Sequence, residues 1–458
     1  MTTMTDRSFV TADQTNVFVR ELDRPYPLIE RGEGVWLYDS SGNAYLDGVS
    51  GGAMVTSFGH GAVPEILKAV VDQTESISFL YNVHATTPAQ ERLAYELASV
   101  APDGFSRAHF VSGGTEANEL ALRMVRSYHV ERGEANRHLV VSPAQAYHGA
   151  SIATFGLTGR PGLQAPYQPY IQQHPHIPPS TWLFDPTGEQ ALAALDEILV
   201  RDGDRIAAFL LEPVSAAALP GYSPPEAFWR GLDERRREHG FLVWFDEVVT
   251  GLGRTGTWFA ADQMPIRPDV ITTAKGLGAG FFPIGAMLVA DHVYEAVANG
   301  SRSFEPGHTW DGAPLSCAVG SAVIAHLQRT GLVDSVRERG PWLLGELRRA
   351  LEGCEMVREV RGRGFLLGVS YVDPHDGERL LDPDLQVAKR IDEEALRRLL
   401  LVYSTQPTRD GFAGDQTLLA PAFVATDTEL EELVERLTAT VKTVEADVKS
   451  QLVRAGSA

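Results

Sequence analysis

Between about residues 60 and 325, short continuous apolar runs alternate with stretches whose apolar positions recur every three or four residues. The runs are 108–111 (AHFV), 138–142 (HLVVS), 206–212 (IAAFLLE), 241–247 (FLVWFDE), 269–274 (DVITTA) and 285–290 (GAMLVA). All are short and rich in branched or aromatic side chains, which predicts strands buried on both faces. Residues 115–133 place Leu120, Ala121, Met124, Val125 and Tyr128 on one stripe and stop at Gly133. Residues 224–240 begin on two prolines and end at Gly240. Both patterns predict helices. The alternation predicts an α/β domain around a mostly parallel sheet.

Upstream, residues 35–47 (VWLYDSSGNAYLD) set two apolar runs around the turn formers Ser40, Ser41, Gly42 and Asn43, which predicts a hairpin. Beyond about residue 330 charged amphipathic helices flank strand-like material at 361–372. In the last helix Thr426 and Glu429 have capping-box spacing, and Leu430, Leu433, Val434, Leu437, Val441 and Val444 form its stripe. The 458 residues exceed one ordinary core. The expected organisation is a large domain over 61–325 and a smaller one assembled from 1–60 and 326–458.

Composition narrows the function classes. A net charge of −20 repels phosphate backbones and anionic lipid, so nucleic acid and membrane surfaces are not expected partners. The two cysteines, Cys317 and Cys354, form no CxxC pair, and none of the histidines shows HExxH spacing, so no metal site is expected. The first twenty residues are polar and no apolar stretch approaches a membrane span, so a cytoplasmic protein is expected.

Three predicted strands end in ionisable residues: 206–212 at Glu212, 241–247 at Asp246 and Glu247, and 269–274 just before Lys275. Ligands bind outside the carboxyl ends of strands in open parallel sheets, so these groups are candidates for one pocket. A fourth run, 108–111, leads into Ser112, Gly113, Gly114 and Thr115 and then a helix. A glycine pair before a helix lets an anion approach unpaired N–H groups at the positive end of the dipole. No lysine follows as in a nucleotide-binding P-loop, so a single phosphate fits best. With Tyr147 and His148 ahead of Gly149, the set matches what pyridoxal phosphate needs: a phosphate cradle, a carboxylate for its ring nitrogen, an amine for its aldehyde and an aromatic neighbour.

The segments FLVWFDEVVTGLGRTGTWFA (241–260) and DVITTAKGLGAGFFPIGAMLVA (269–290) resemble the class III aminotransferases of the fold-type I pyridoxal-phosphate enzymes. SGGTEANELALR, YHG, LLEPV, the HTW segment and GDQTLLAP have family counterparts too, so the resemblance covers nearly the whole chain. It implies a large domain with a mostly parallel mixed sheet, a smaller α/β domain from both termini, and a homodimer with shared sites or a tetramer. Lys275 is implied as the Schiff-base lysine and general base, and Asp246 as the partner of the pyridinium nitrogen. Val248 and Tyr147 would cover the two ring faces. Ser112, Gly113, Gly114 and Thr115 would hold the phosphate, joined by Thr309 of the neighbouring subunit. Glu212 would lie near the substrate side. His148 is expected to brace the Tyr147 loop, and Arg254 to be structural or interfacial. The implied reaction is ping-pong transfer of an amino group from a primary amine or ω-amino acid to a keto acid or other carbonyl compound, through pyridoxamine phosphate. A racemase or aminomutase on the same scaffold is the alternative.

On the substrate side the family's carboxylate-binding arginine falls at Gly411 here, with Arg409 offset from it. That favours a donor without an α-carboxylate. Met54, Phe79, Tyr81 and Arg409 are candidate pocket residues, with Phe281 or Trp310 in addition.

Overall fold

The computed structural model describes residues 9–406 and 411–456. The elements that matter for the site, in chain order, are β1 (Ile29–Glu33), β2 (Trp36–Asp39), β3 (Ala44–Asp47), β4 (Arg107–Val111), α1 (Gly114–Glu131), β5 (Leu139–Pro143), β6 (His176–Ile177), β7 (Ile206–Leu211), α2 (Glu226–His239), β8 (Leu242–Glu247), β9 (Val270–Thr273) and β10 (Gly285–Val289). The later part supplies β11 (Val357–Arg363), β12 (Leu366–Tyr371), β13 (Leu400–Leu401), β14 (Tyr403–Thr405), β15 (Gln416–Leu419) and α3 (Asp427–Gly456).

Among the described residues, seven strands form one sheet in the order β4-β10-β9-β8-β7-β5-β6. The pairs β9/β8, β8/β7, β7/β5 and β5/β6 are parallel. Only β10 runs against its neighbours β9 and β4. Two reversals restore the direction, so β4 points the same way as β9, and the carboxyl ends of β4, β5, β7, β8 and β9 share one edge. Every residue of β7, β8, β9 and β10 is buried, as continuous apolar runs require. Trp244 and Phe245 are fully covered, each contributing about 2–3 kcal/mol through burial.

The expected hairpin is present as β2 and β3, paired from Trp36↔Leu46 to Tyr38↔Ala44. Asp39 closes its turn, accepting from Ser41 N and Asn43 N. Leu400 in β13 pairs with Leu46 in β3, which ties the early and late parts of the chain into one sheet. β11, β12, β15 and β14 form a second, antiparallel sheet. The predicted capping box of α3 is made: Glu429 N donates to Thr426 Oγ1 and Thr426 N to Glu429 Oε2.

Arg254 joins these parts. Its guanidinium is fully buried, donates to Pro421 O at 2.5 Å, Phe365 O at 3.4 Å and Ser50 Oγ at 3.2 Å, and lies 4.6 Å over the Phe423 ring. Burial pushes its pKa down to about 9, against the favourable charge of Asp47. Replacement by methionine would leave the Pro421 carbonyl without its donor and remove a positive charge that Asp47 favours. Arg254→Met is expected to destabilise the fold by about 3 kcal/mol, read as a lower urea midpoint. An unchanged midpoint would refute this structural role.

Candidate active site

The shared sheet edge opens on a cavity of about 300 Å³. Its wall includes Ser112, Gly113, Gly114, Thr115, Tyr147, His148, Glu212, Asp246, Val248 and Lys275, so all of these predicted residues meet. Lys275 follows β9 and Ala274, and opens a short 3₁₀ turn, Lys275–Leu277, at a left-handed φ of 33°. Its amine has no hydrogen bond or ion pair among the described residues. It faces the cavity and is half-buried, and the protein packed around it strips away part of its hydration. That desolvation lowers its pKa below the usual lysine value, and the charges of Asp246 and Glu212 only partly oppose the shift.

Successive strand residues point to opposite faces, which separates the two acids of β8. Asp246 faces α1 and the cavity. Its Oδ2 accepts from Asn118 Nδ2 at 2.8 Å and lies 2.8 Å from His148 Nδ1, and its Oδ1 accepts from Val248 N at 3.0 Å. Glu247 points the other way and accepts from Ala260 N at 2.6 Å, Ala261 N at 2.8 Å and Thr250 Oγ1 at 2.9 Å. Burial raises its pKa to about 7. It holds the loop that carries Arg254 and does not line the cavity.

Asn118 was not singled out by the sequence reading. It sits one turn into α1, donates to both Asp246 and His148 O, and accepts from Thr272 Oγ1 at 2.6 Å. Its position four residues after Gly114 in SGGTEAN was the available signal, since the first turn of a helix that meets a ligand also faces it. His148 was expected to brace the Tyr147 loop. Its backbone N does donate to Thr158 Oγ1, but its buried ring is aimed at Asp246, and its Nε2 has no partner among the described residues. Glu212 accepts from Ser215 Oγ and Ala216 N, and burial, with the nearby Asp246 charge adding to it, raises its pKa.

The glycine cradle is built by close approach. A Cβ on Gly114 would lie 2.8 and 2.9 Å from the two methyls of Val248, whereas one on Gly113 would meet open space. Gly114→Ala is expected to lower stability by about 1–3 kcal/mol through this overlap. The Gly114→Ala, Val248→Ala double variant should recover most of the loss in thermal denaturation. A double variant no more stable than the single one would show that the overlap is not the cause.

Six candidates lie outside the inner wall. Met54 is buried in a separate cluster with Val214, Ala216 and Leu418, and it is the next residue, Val55, that lines the cavity. Phe79 packs edge-on against Trp310 at 5.2 Å, and both are exposed. Tyr81 meets His84 at 6.2 Å. Thr309 is exposed beside Trp310. Phe282 lines the cavity in place of Phe281. Arg409 lies outside the described residues.

Comparison with known proteins bears directly on this arrangement. The model of the family "Aminotransferase class-III" matches residues 18–441. The uncharacterized aminotransferase YodT of Bacillus subtilis is 32% identical, over 94% of this chain and 98% of that protein. A solved transaminase from the marine bacterium Virgibacillus superposes with a TM-score of 0.87 at 29% identity, over 94% of this chain and 98% of that one. An aminotransferase of Vibrio fluvialis solved in a PMP-bound form superposes with a TM-score of 0.85 at 26% identity, over 95% and 98% of the two chains.

Proposed function

The chain belongs to the class III aminotransferases, and we propose that Lys275 and Asp246 carry its transamination chemistry. The reaction class is pyridoxal-phosphate-dependent transamination, and the fold is that of the fold-type I transaminases. The relatives described above are aminotransferases and transaminases, which does not favour the racemase or aminomutase alternative.

One observation carries the residue-level reading. An unpaired amine, a carboxylate held by three donors and a glycine-lined helix start face a single cavity. The donor set fits pyridoxal phosphate. Gly113, Gly114 and Thr115 open α1 toward its phosphate, with Ser112 adjoining, and the open space beyond Gly113 admits it. Val248 and Tyr147 are the groups for its ring faces, and Asp246 for its ring nitrogen. When bound, the cofactor supplies an aldehyde that condenses with amines and a protonated ring that takes up the electron pair left when a proton departs.

The chain's own residues do the rest. Asp246 keeps the proton at the ring nitrogen, and Asn118 and His148 fix the carboxylate in place. Lys275 Nζ is poorly solvated, so a larger share of it is unprotonated near neutral pH. In that form it takes the proton from the carbon bearing the substrate amine and returns it one position along. Glu212 borders the substrate side. A donor half-reaction and an acceptor half-reaction then use one site in turn, giving ping-pong kinetics.

A homodimer with shared sites is part of the same reading. Phe79 and Trp310 are exposed apolar side chains packed against each other, next in the chain to the exposed Thr309, as a surface awaiting a partner copy would present. The large domain at 61–325 and the smaller one from both ends are proposed on the same footing, as is a cytoplasmic location. No helix among the described residues is long and apolar enough to cross a membrane.

The test is the visible spectrum of the purified protein. One amine donor should bleach a yellow band, and pyruvate or 2-oxoglutarate should restore it. A yellow protein that no donor bleaches would refute transamination through this site.

A further inference from the structure

A keto acid brings a carboxylate, and so do many amine donors, yet among the described residues that line the cavity Lys275 is the only arginine or lysine. At the position where the family's arginine would fall, Gly411 holds a left-handed φ of 77° and offers no side chain. Among the described residues, a cation for the carboxylate comes from beyond the inner wall.

Arg160 stands there. Residues 158–160 are clamped alongside 145–148: Gln145 N donates to Gly159 O at 2.7 Å, and His148 N donates to Thr158 Oγ1 at 3.0 Å. Gln164 Nε2 holds the same stretch through Thr158 O at 2.6 Å. The approach is close enough that a Cβ on Gly159 would lie 2.4 Å from Pro143 O. This fixes Arg160 next to the loop that bears Tyr147. Arg160 is half-buried, and its guanidinium has no hydrogen bond or ion pair among the described residues. The chain has 60 acidic residues against 40 basic ones, so acids to pair with are plentiful. Other half-buried arginines have taken them: Arg137 pairs with Glu134, and Arg236 with Asp233 and Asp269. An arginine that loses hydration without gaining an acid is poised for an anion from outside. The exposed Arg20 is likewise without such a partner among the described residues, and the charges of both arginines act on the Tyr147 hydroxyl.

We propose that Arg160 seats the carboxylate of an ω-amino acid donor whose amine reaches Lys275 past Tyr147, with the charge of Arg20 adding to the pull on the acid. This rests on the aminotransferase reading and deepens it. Tyr147 belongs to the wall around Lys275 and Arg160 does not, so the seat lies outside the reacting centre. An acid held there is separated from the reacting amine, as in an ω-amino acid and unlike an α-amino acid.

The experiment is single-turnover bleaching of the holoenzyme by 4-aminobutyrate and by 1-aminobutane, the same chain without the acid. The ratio of their rate constants at low donor concentration should favour 4-aminobutyrate. It should fall at least about tenfold in Arg160→Ala and recover in part in Arg160→Lys. Butyrate, which has no amine and cannot react, should bind the Arg160→Ala holoenzyme more weakly by a similar factor in titration calorimetry. A ratio unchanged by Arg160→Ala overturns the proposal, and so does a preference for alanine that the variant retains. If the wild-type enzyme exchanges amino groups with no donor, the aminotransferase reading fails instead. The butyrate titration then still decides whether Arg160 seats a carboxylate.

Discussion

Replacing Lys275 by alanine is expected to lower kcat by about four orders of magnitude while leaving the fold intact. Both halves of that expectation come from the local structure. The amine lines the cavity together with Asp246 and has no hydrogen bond or ion pair among the described residues, so it is free to move a proton there. His148 is committed through Nδ1 to Asp246, and Glu212 accepts two hydrogen bonds from its own turn. Stability should hold because burial disfavours the charged amine, so its removal relieves a desolvation cost. The backbone adds no new strain either. Position 275 is already a non-glycine residue at φ 33°, and alanine meets the same restriction that lysine does. The phosphate cradle is untouched, so the variant should still retain cofactor by equilibrium dialysis. Near-normal turnover in Lys275→Ala would remove Lys275 from the mechanism. A lost cofactor together with a collapsed melting transition would mean that the lysine is structural.

The sheet was legible because its strands are buried on both faces and therefore written as unbroken apolar runs, with Glu212, Asp246 and Lys275 marking where each reaches the ligand edge. The reversal of β10 was not legible. GAMLVA has the same pattern as its parallel neighbours, and direction is set by the connection that follows Lys275 and not by side-chain period. Contacts made across the chain were also hidden. Asn118 reads as one more polar residue at a helix start until the fold brings it to Asp246, 128 residues away. Met54 and Val55 are adjacent apolar residues, and only the irregular backbone of 50–54, with Met54 itself at φ 59°, decides which of them meets the cavity. Arg160 was silent for the opposite reason. What distinguishes it is a missing partner, and sequence patterns report the groups present and not the pairs they form.

Asp246→Asn should show whether the charge or the shape of this side chain does the work. The substitution keeps the size and removes the negative charge, and it also disturbs the local bonding in a predictable way. Both carboxylate oxygens accept from donors, Oδ1 from Val248 N and Oδ2 from Asn118 Nδ2, with His148 Nδ1 close by. An asparagine has one acceptor oxygen, so its NH2 group must face a donor whichever way it turns. The asparagine that keeps the Asn118 contact loses that of Val248 N, or the reverse, at a cost of about 1–3 kcal/mol for a buried group left unsatisfied. The larger effect is on the ring nitrogen, which no longer has an anion to hold its proton while electrons move onto the ring. The proton-transfer rate in single turnover should fall by about 10²–10³-fold, and cofactor dissociation should change by less than that because the phosphate contacts remain. A rate loss no larger than the loss in cofactor affinity would assign Asp246 to binding alone. The Asn118→Ala variant separates the positioning effect from the charge. It keeps the carboxylate and removes one donor, so it should lower the rate by about tenfold, well short of the Asp246→Asn loss. An equal loss in the two variants would show that holding the carboxylate in place matters as much as its charge.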